Sequence, residues 1–202
     1  MDYVVIDESV KIGKDVKIFP FNVIKGETVI EDGAIIYPFN YIENAKIGKC
    51  SEISHSHLEN CEIGSFVKVG PFARLRPDAR IEDGCKVGNF VEIKKATLKK
   101  GVKASHLAYI GDAEVGENTN VGCGVIFANY NGKTKSKTKV GKNCFIGSNS
   151  NLIAPITVAD STYICAGTTL TQDTTKGDFV IARERETIKH GRAKQYLKGD
   201  DV

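Results

Sequence analysis

The chain has 202 residues, with 28 Lys and Arg against 25 Asp and Glu, a formal net charge of +3. A balance this mild, with the basic residues spread along the chain, argues against a nucleic-acid partner, and no apolar run is long enough to cross a bilayer. Hydrophobic residues make up 41% and aromatics 8%, with no tryptophan, which predicts a single domain whose core is built from small aliphatics.

The first segment, MDYVVIDES, is acidic and lacks the basic and apolar regions of a secretory signal. The six cysteines, Cys50, Cys61, Cys85, Cys123, Cys144 and Cys165, form no C-x-x-C pair. Together these features predict a cytoplasmic protein with reduced thiols and no zinc site. From Ile6 the chain then falls into step. Ile6, Ile12, Ile18, Ile24, Ile30, Ile36 and Ile42 are spaced by six. The beat resumes at Ile47, Ile53, Leu58 and Ile63, runs through Val69, Leu75, Ile81, Val87 and Ile93, and returns as Val140, Ile146, Leu152, Val158, Ile164 and Leu170. A hexapeptide period marks a parallel β-helix, in which three units close one triangular turn of about 18 residues. A small residue stands four places after many of the aliphatics, as at Ala34, Ala73, Ala79, Cys85, Cys144, Ser150, Thr162 and Thr168, and should pack inside the corner. Glycines that follow the aliphatics are expected to supply positive φ at the bends. The solenoid should occupy residues 1–175. Residues 176–202 carry no beat and should form a cap, an arm onto a neighbouring subunit or a disordered tail.

Three stretches break the beat, and function is expected near them. Most steps shorten to five between Ile42 and Ile63. Two more five-steps, Ile93 to Leu98 and Ile110 to Val115, lie in the next break. An insertion, ANYNGKTKSKTK, follows Phe127, with an Asn-Gly turn signal and a cationic character. Around these breaks lie Arg76, Lys94, His106, Tyr109, Asn120, Asn129, Tyr130 and Lys135. Arg76 and Lys94 are 18 apart, so they should stack as a cationic ladder suited to a phosphate. Taken singly, each has a plainer reading: a surface histidine, a solvated edge, tyrosines that pack at an interface, a tolerated loop. His55 and His57, on alternate positions, invite a zinc reading, but no third histidine has matching spacing and no metal is expected.

The run GPFARLRPDARIEDGCKVGNFVEIKKATLKKGVKASHLAYIGDAEVGENTNVGCGVIFANYNGK, with ICAGTTLTQDT and IARERE further on, resembles the acetyltransferase domain of the bifunctional N-acetylglucosamine-1-phosphate uridyltransferase/glucosamine-1-phosphate acetyltransferase family. The likeness covers residues from about 47 to 185; upstream only generic hexapeptides appear. It implies an all-β, left-handed parallel β-helix, a hand the periodicity does not give. It also implies acetyl-CoA-dependent N-acetylation of glucosamine 1-phosphate, in UDP-N-acetylglucosamine biosynthesis, by a homotrimer with sites between subunits. His106 would be the catalytic base. Arg76, Lys94, Tyr109, Asn120 and Lys135 would hold the sugar phosphate. Cys123, Asn129, Tyr130, Ser148, Ala166 and Arg183 would line the coenzyme A side, with Cys123 standing where the family has Ala. The uridyltransferase half of that family is not in the chain, as expected of an excised domain or a free-standing relative. Two alternatives stay open: an acetyltransferase for another amino-sugar phosphate or nucleotide sugar, and a non-catalytic β-helix that trimerises or binds an effector.

Overall fold

Short runs that end in the periodic aliphatic form the strands, and every strand pairs in parallel with the one a turn away. This is seen in a computed structural model that describes residues 3–196. Val4–Ile6 lies against Asn22–Lys25, with Val5 opposite Val23, and that pair opens the first face of a three-sided column. Lys11–Ile12 against Val29–Ile30 opens the second face, and Lys17–Ile18 against Ile35–Ile36 opens the third. Ten strands stack on the third face, from Lys17–Ile18 to Phe179–Val180. The first two faces join into one 17-stranded sheet because two long strands, Glu92–Leu98 and Tyr109–Val115, run around their shared corner without interruption. The periodic aliphatics meet along the axis. Ile24, Ile36, Ile42, Leu58, Leu75, Val87, Ile93 and Ile146 are fully buried, and so are the small corner residues Ala34, Ala79, Ser150 and Thr168.

Glycine does a different task from the one the spacing suggests. At Gly88, Gly116 and Gly141 φ is ordinary, but a Cβ would strike the neighbouring rung: Ser105 backbone, Gly141 backbone, and Asp160 with the backbone beside it. These glycines permit close approach of stacked rungs. The left-handed residue of a six-step corner comes two places later, and is mostly not glycine. Phe21, Phe39, Phe72 and Phe90 hold φ of 64°, 63°, 58° and 57°, and Asp78, Asn118, Asn143 and Asn149 do likewise. Asn and Asp tolerate this region by local hydrogen bonding. For phenylalanine the cost, about 1–2 kcal/mol per residue, is offset by stacking. Tyr3, Phe21, Phe39, His55, Phe72 and Phe90 form one exposed column along an edge, with neighbouring ring centroids 5.1–5.7 Å apart. Such pairs contribute about 0.5–1.5 kcal/mol each beyond area burial.

The end of the column differs from the expected boundary at residue 175. Phe179–Val180 pairs with Tyr163–Ile164, so the last rung lies inside the segment expected to be tail. The six-step from Leu170 points to Lys176, but the chain crosses the second face without a strand, the Thr174 N–H donating to Thr157 O at 3.1 Å, and then sets Val180 beside Ile164, which hides the rung from the beat. Beyond it, residues 181–196 carry only a short 3₁₀ turn, Ala193–Gln195. The remainder of the expected tail, 197–202, lies outside the described residues. Among the described residues no helix is long and apolar enough to cross a membrane.

Candidate functional site

The corner between the first two faces is reshaped by the two five-steps. In a five-step the left-handed residue moves one place earlier, to Lys95 (φ 46°) and Asp112 (φ 48°), and Ala96 and Ala113 fill the corner. Strand register then places Lys94 beside Gly111, with Arg76 one rung back, because Leu75 pairs with Ile93. The expected ladder on one edge is present, but each cation already has a carboxylate. Arg76 Nη1 donates to Glu92 Oε1 at 2.8 Å, and that bond, with the Glu92 charge behind it, holds the Arg76 pKa above its ordinary value. Lys94 Nζ donates to Asp112 Oδ2 at 3.2 Å and Oδ1 at 3.4 Å. Burial is the largest single influence and works against the Lys94 charge, but the Asp112 bond, the Lys135 contact and the Asp112 charge together outweigh it and its pKa is raised.

The inserted loop closes over this corner. Asn131 Oδ1 accepts from the backbone N–H groups of Lys133 (2.9 Å) and Thr134 (2.8 Å), Gly132 takes φ 94°, and Tyr130 bridges back to Lys135 in antiparallel fashion. At the base of the loop Asn129 is buried, its Nδ2 donating to Asp112 Oδ2 and lying 3.5 Å from Tyr109 Oη. A Cβ on Gly111 would strike both head groups. Lys135 folds onto Lys94, and the ammonium of Lys94 beside it pushes the Lys135 pKa down. Within one chain, therefore, Arg76, Lys94, Tyr109, Asn129 and Lys135 come together. Tyr130 stays exposed on the loop, with its hydroxyl donating to Gly132 O at 2.7 Å.

The corner between the third and first faces carries a second group. His106 ends the strand Lys103–His106, is exposed, and pairs in register with Asn89. Its Nδ1 is 2.8 Å from Asn89 Oδ1. An amide oxygen only accepts, so Nδ1 is the donor in this pair, and in the neutral form of the ring Nε2 is then the basic nitrogen. Because Ala104 pairs with Val121, Val121 with Ile146 and Ile146 with Ile164, the same column position is held by His106, Cys123, Ser148 and Ala166 in successive rungs. Arg183 Nη1 caps the column by donating to Ala166 O at 2.8 Å. Of the residues assigned to the donor side, Cys123, Ser148, Ala166 and Arg183 thus form one continuous lane starting at His106, while Asn129 and Tyr130 lie at the other corner. Tyr109, three residues after His106, starts the next face and links the lane to the cationic corner.

Asn120 is not part of either group in one chain. It stands on the third face between Lys103 and Phe145. His55 and His57 do not share an orientation either. His55 is a left-handed corner residue stacked between Phe39 and Phe72, whereas His57 lies on a strand with Nε2 3.1 Å from Glu59 Oε1. Among the described residues no three His, Cys, Asp or Glu side chains converge as a ligand set. The first break, between Ile42 and Ile63, gathers no comparable cluster; its corner Asn44 accepts from the Glu27 backbone N–H at 3.0 Å. A cavity of about 670 Å³ lies on the second face, lined by Glu62, Arg80, Glu82 and Lys99 among others. Its charges are surface pairs and none of the candidate site residues lines it. Glu92, Asp112 and Asn89 were not singled out from sequence. Their signal was the offset of one turn: 16, 18 and 17 residues from Arg76, Lys94 and His106.

A column of this kind with these corner groups defines a hexapeptide-repeat solenoid, and the bacterial transferase hexapeptide (six repeats) family matches residues 60–95. The chain is a relative of proteins named bifunctional protein GlmU. It is 47% identical to that of Clostridium novyi over 194 residues and 50% identical to that of Staphylococcus haemolyticus over 193, in each case 96% of this chain and 42% of the relative. It therefore spans about two-fifths of the length of the curated relatives it matches. Among solved structures, the Arabidopsis UDP-N-acetylglucosamine acyltransferase superposes with a TM-score of 0.67 at 15% identity, over 87% of this chain and 68% of that one, a likeness of fold.

Proposed function

We propose that this chain transfers the acetyl group of acetyl-CoA to the amine of glucosamine 1-phosphate. The observation that carries the reading is the Asn89–His106 pair. An imidazole held at Nδ1 by Asn89 stands at the junction of the donor lane and the cationic corner. The amine attacks the thioester carbonyl, the C–N bond forms, and Nε2 takes the amine proton. The C–S bond then breaks and the proton passes to the departing coenzyme A thiolate. General bases of this type contribute about 10²–10⁴-fold. Lys94, Lys135 and Arg76 face the sugar phosphate, so its binding places the amine. Asn129 or a backbone N–H faces the developing oxyanion. The chemistry asks for no metal.

His106 and the donor lane lie open along an edge of a single chain, which supports a homotrimer in which a neighbouring copy walls each site. Here Lys94 and Asn129 already meet through Asp112 in one chain, and Asn120 is the residue a neighbour would contribute. The cytoplasm, where acetyl-CoA and amino-sugar phosphates are available, is the compartment this reading requires. The test is thiol release from acetyl-CoA by the purified chain with glucosamine 1-phosphate, alongside other amino-sugar phosphates and nucleotide sugars. Turnover that is lost in His106→Ala and fades as acid protonates the ring supports the proposal. Coenzyme A binding without transfer to any acceptor defeats it.

A further inference from the structure

Asp112 has no role in the sequence reading, yet it touches both halves of the site. Its carboxylate accepts from Lys94 Nζ through both oxygens and from Asn129 Nδ2 through Oδ2. The pair is largely dry: the Lys94 and Asp112 side chains are 11% and 19% exposed, against 71% and 52% for Lys46 and Glu62. The reach exists because of backbone shape. The five-step makes Asp112 the left-handed corner residue, and this directs its side chain across the rung toward Lys94, 18 residues back, and Asn129, 17 residues on. Gly111 next to it has no side chain to obstruct Tyr109 Oη and Asn129 Nδ2.

We infer that Asp112 is a positioning residue that locks the acceptor-side Lys94 and the donor-side Asn129 into one geometry. This rests on the acetyl-transfer reading for what the two sides bind. Asp112 does not itself attract the phosphate; as an anion beside Lys94 it opposes phosphate binding. Its contribution is alignment, so losing it should cost turnover and donor affinity but not phosphate affinity. A residue that merely held the fold would cost all three.

The test is Asp112→Asn, since Asn accepts the left-handed backbone as readily as Asp. Three quantities are read: the dissociation constants of inorganic phosphate and of coenzyme A by calorimetry, and turnover with saturating substrates. The expected result is phosphate binding at least as tight as in the wild type, coenzyme A weakened several-fold, and kcat lowered about tenfold or more, in the range of one lost charged hydrogen bond. Weaker phosphate binding together with a lowered melting temperature, or wild-type kcat, overturns it. Should Asp112→Asn fold poorly, Asp112→Gly, which also accepts the left-handed backbone, takes its place in a cycle with Asn129→Ala read through coenzyme A affinity. A double variant no worse than Asn129→Ala alone supports the link, and additive losses refute it. If the wild-type chain acetylates no amino sugar while the two binding results hold, the proposed function falls and the bridge stands.

Discussion

Lys46 and Lys94 are both lysines with a carboxylate one turn away, and they live in different worlds. Lys46 Nζ lies 3.9 Å from Glu62 Oε1 on a solvated face, while Lys94 meets Asp112 at 3.2 Å with little of either side chain in water. The residue types are the same; the rungs are not. In the coils up to Val87, side chains beyond the aliphatic stand out into solvent. Between Glu92 and Val140 two strands bend around a corner and a loop folds over it. Shortened steps alone are not enough, since the corners at Asn44 and Asn60 have them too and gather only the partly solvated group of Tyr41, Glu43, His57 and Glu59. The loop above, with Asn129 at its base and Lys135 on its return, converts a bent rung into a site.

That contrast can be broken at several points. The largest effect is expected at the open edge: His106→Ala should lower kcat/KM by about 10²–10⁴-fold with an unchanged melting temperature, measured by thiol release. Next, Lys94→Ala should raise the KM for the amino-sugar phosphate roughly 10–100-fold, the scale of a hydrogen bond to a charged group. Lys46→Ala, its solvated counterpart, should leave KM alone and change stability by less than about 1 kcal/mol. A comparable effect of the two would erase the distinction between the regions. Asn89→Ala should reduce kcat about tenfold, roughly 1.4 kcal/mol in the barrier, by freeing the ring to adopt either tautomer; steady-state kinetics would show it as a kcat loss at constant KM. The smallest effect is a shift in pH dependence. The Lys94 ammonium holds the Lys135 pKa down, so Lys135 loses its charge at a lower pH than an isolated lysine, and acceptor KM should climb on the alkaline side. In Lys94→Met the Lys135 pKa rises again, and that alkaline climb should move to higher pH.

The six-step made the rungs legible because burial acts on single residues: Ile30, Ile36 and Ile42 must each find the axis, and spacing alone shows it. The corner chemistry was half legible. Glycine after the aliphatic suggested a bend, but steric closeness between rungs is a property of two turns and does not show in one. Phenylalanine at a left-handed corner was illegible for the same reason, since Phe72 is stabilised by Phe90 a full coil away. The site split along the same line. Arg76, Lys94 and His106 carried local motifs, whereas Glu92, Asp112 and Asn89 have meaning only as partners one turn removed. The rung at Phe179–Val180 was hidden because the stretch before it crosses the second face on the polar residues Asp173 and Thr174, with no aliphatic to mark the step.

Parallel pairing in register also makes the column modular. Val5 faces Val23 as Leu75 faces Ile93, each 18 residues on, and the corner groups touch only rungs adjacent to their own. Excising one complete coil from the stretch between Ile12 and Ile42 would shorten the object and leave every contact around Lys94 and His106 where it was. Deleting a single residue there would instead rotate all that precedes it by part of a turn. Length in this molecule is free to vary in whole storeys, and only in whole storeys, without disturbing the floor on which the chemistry is done.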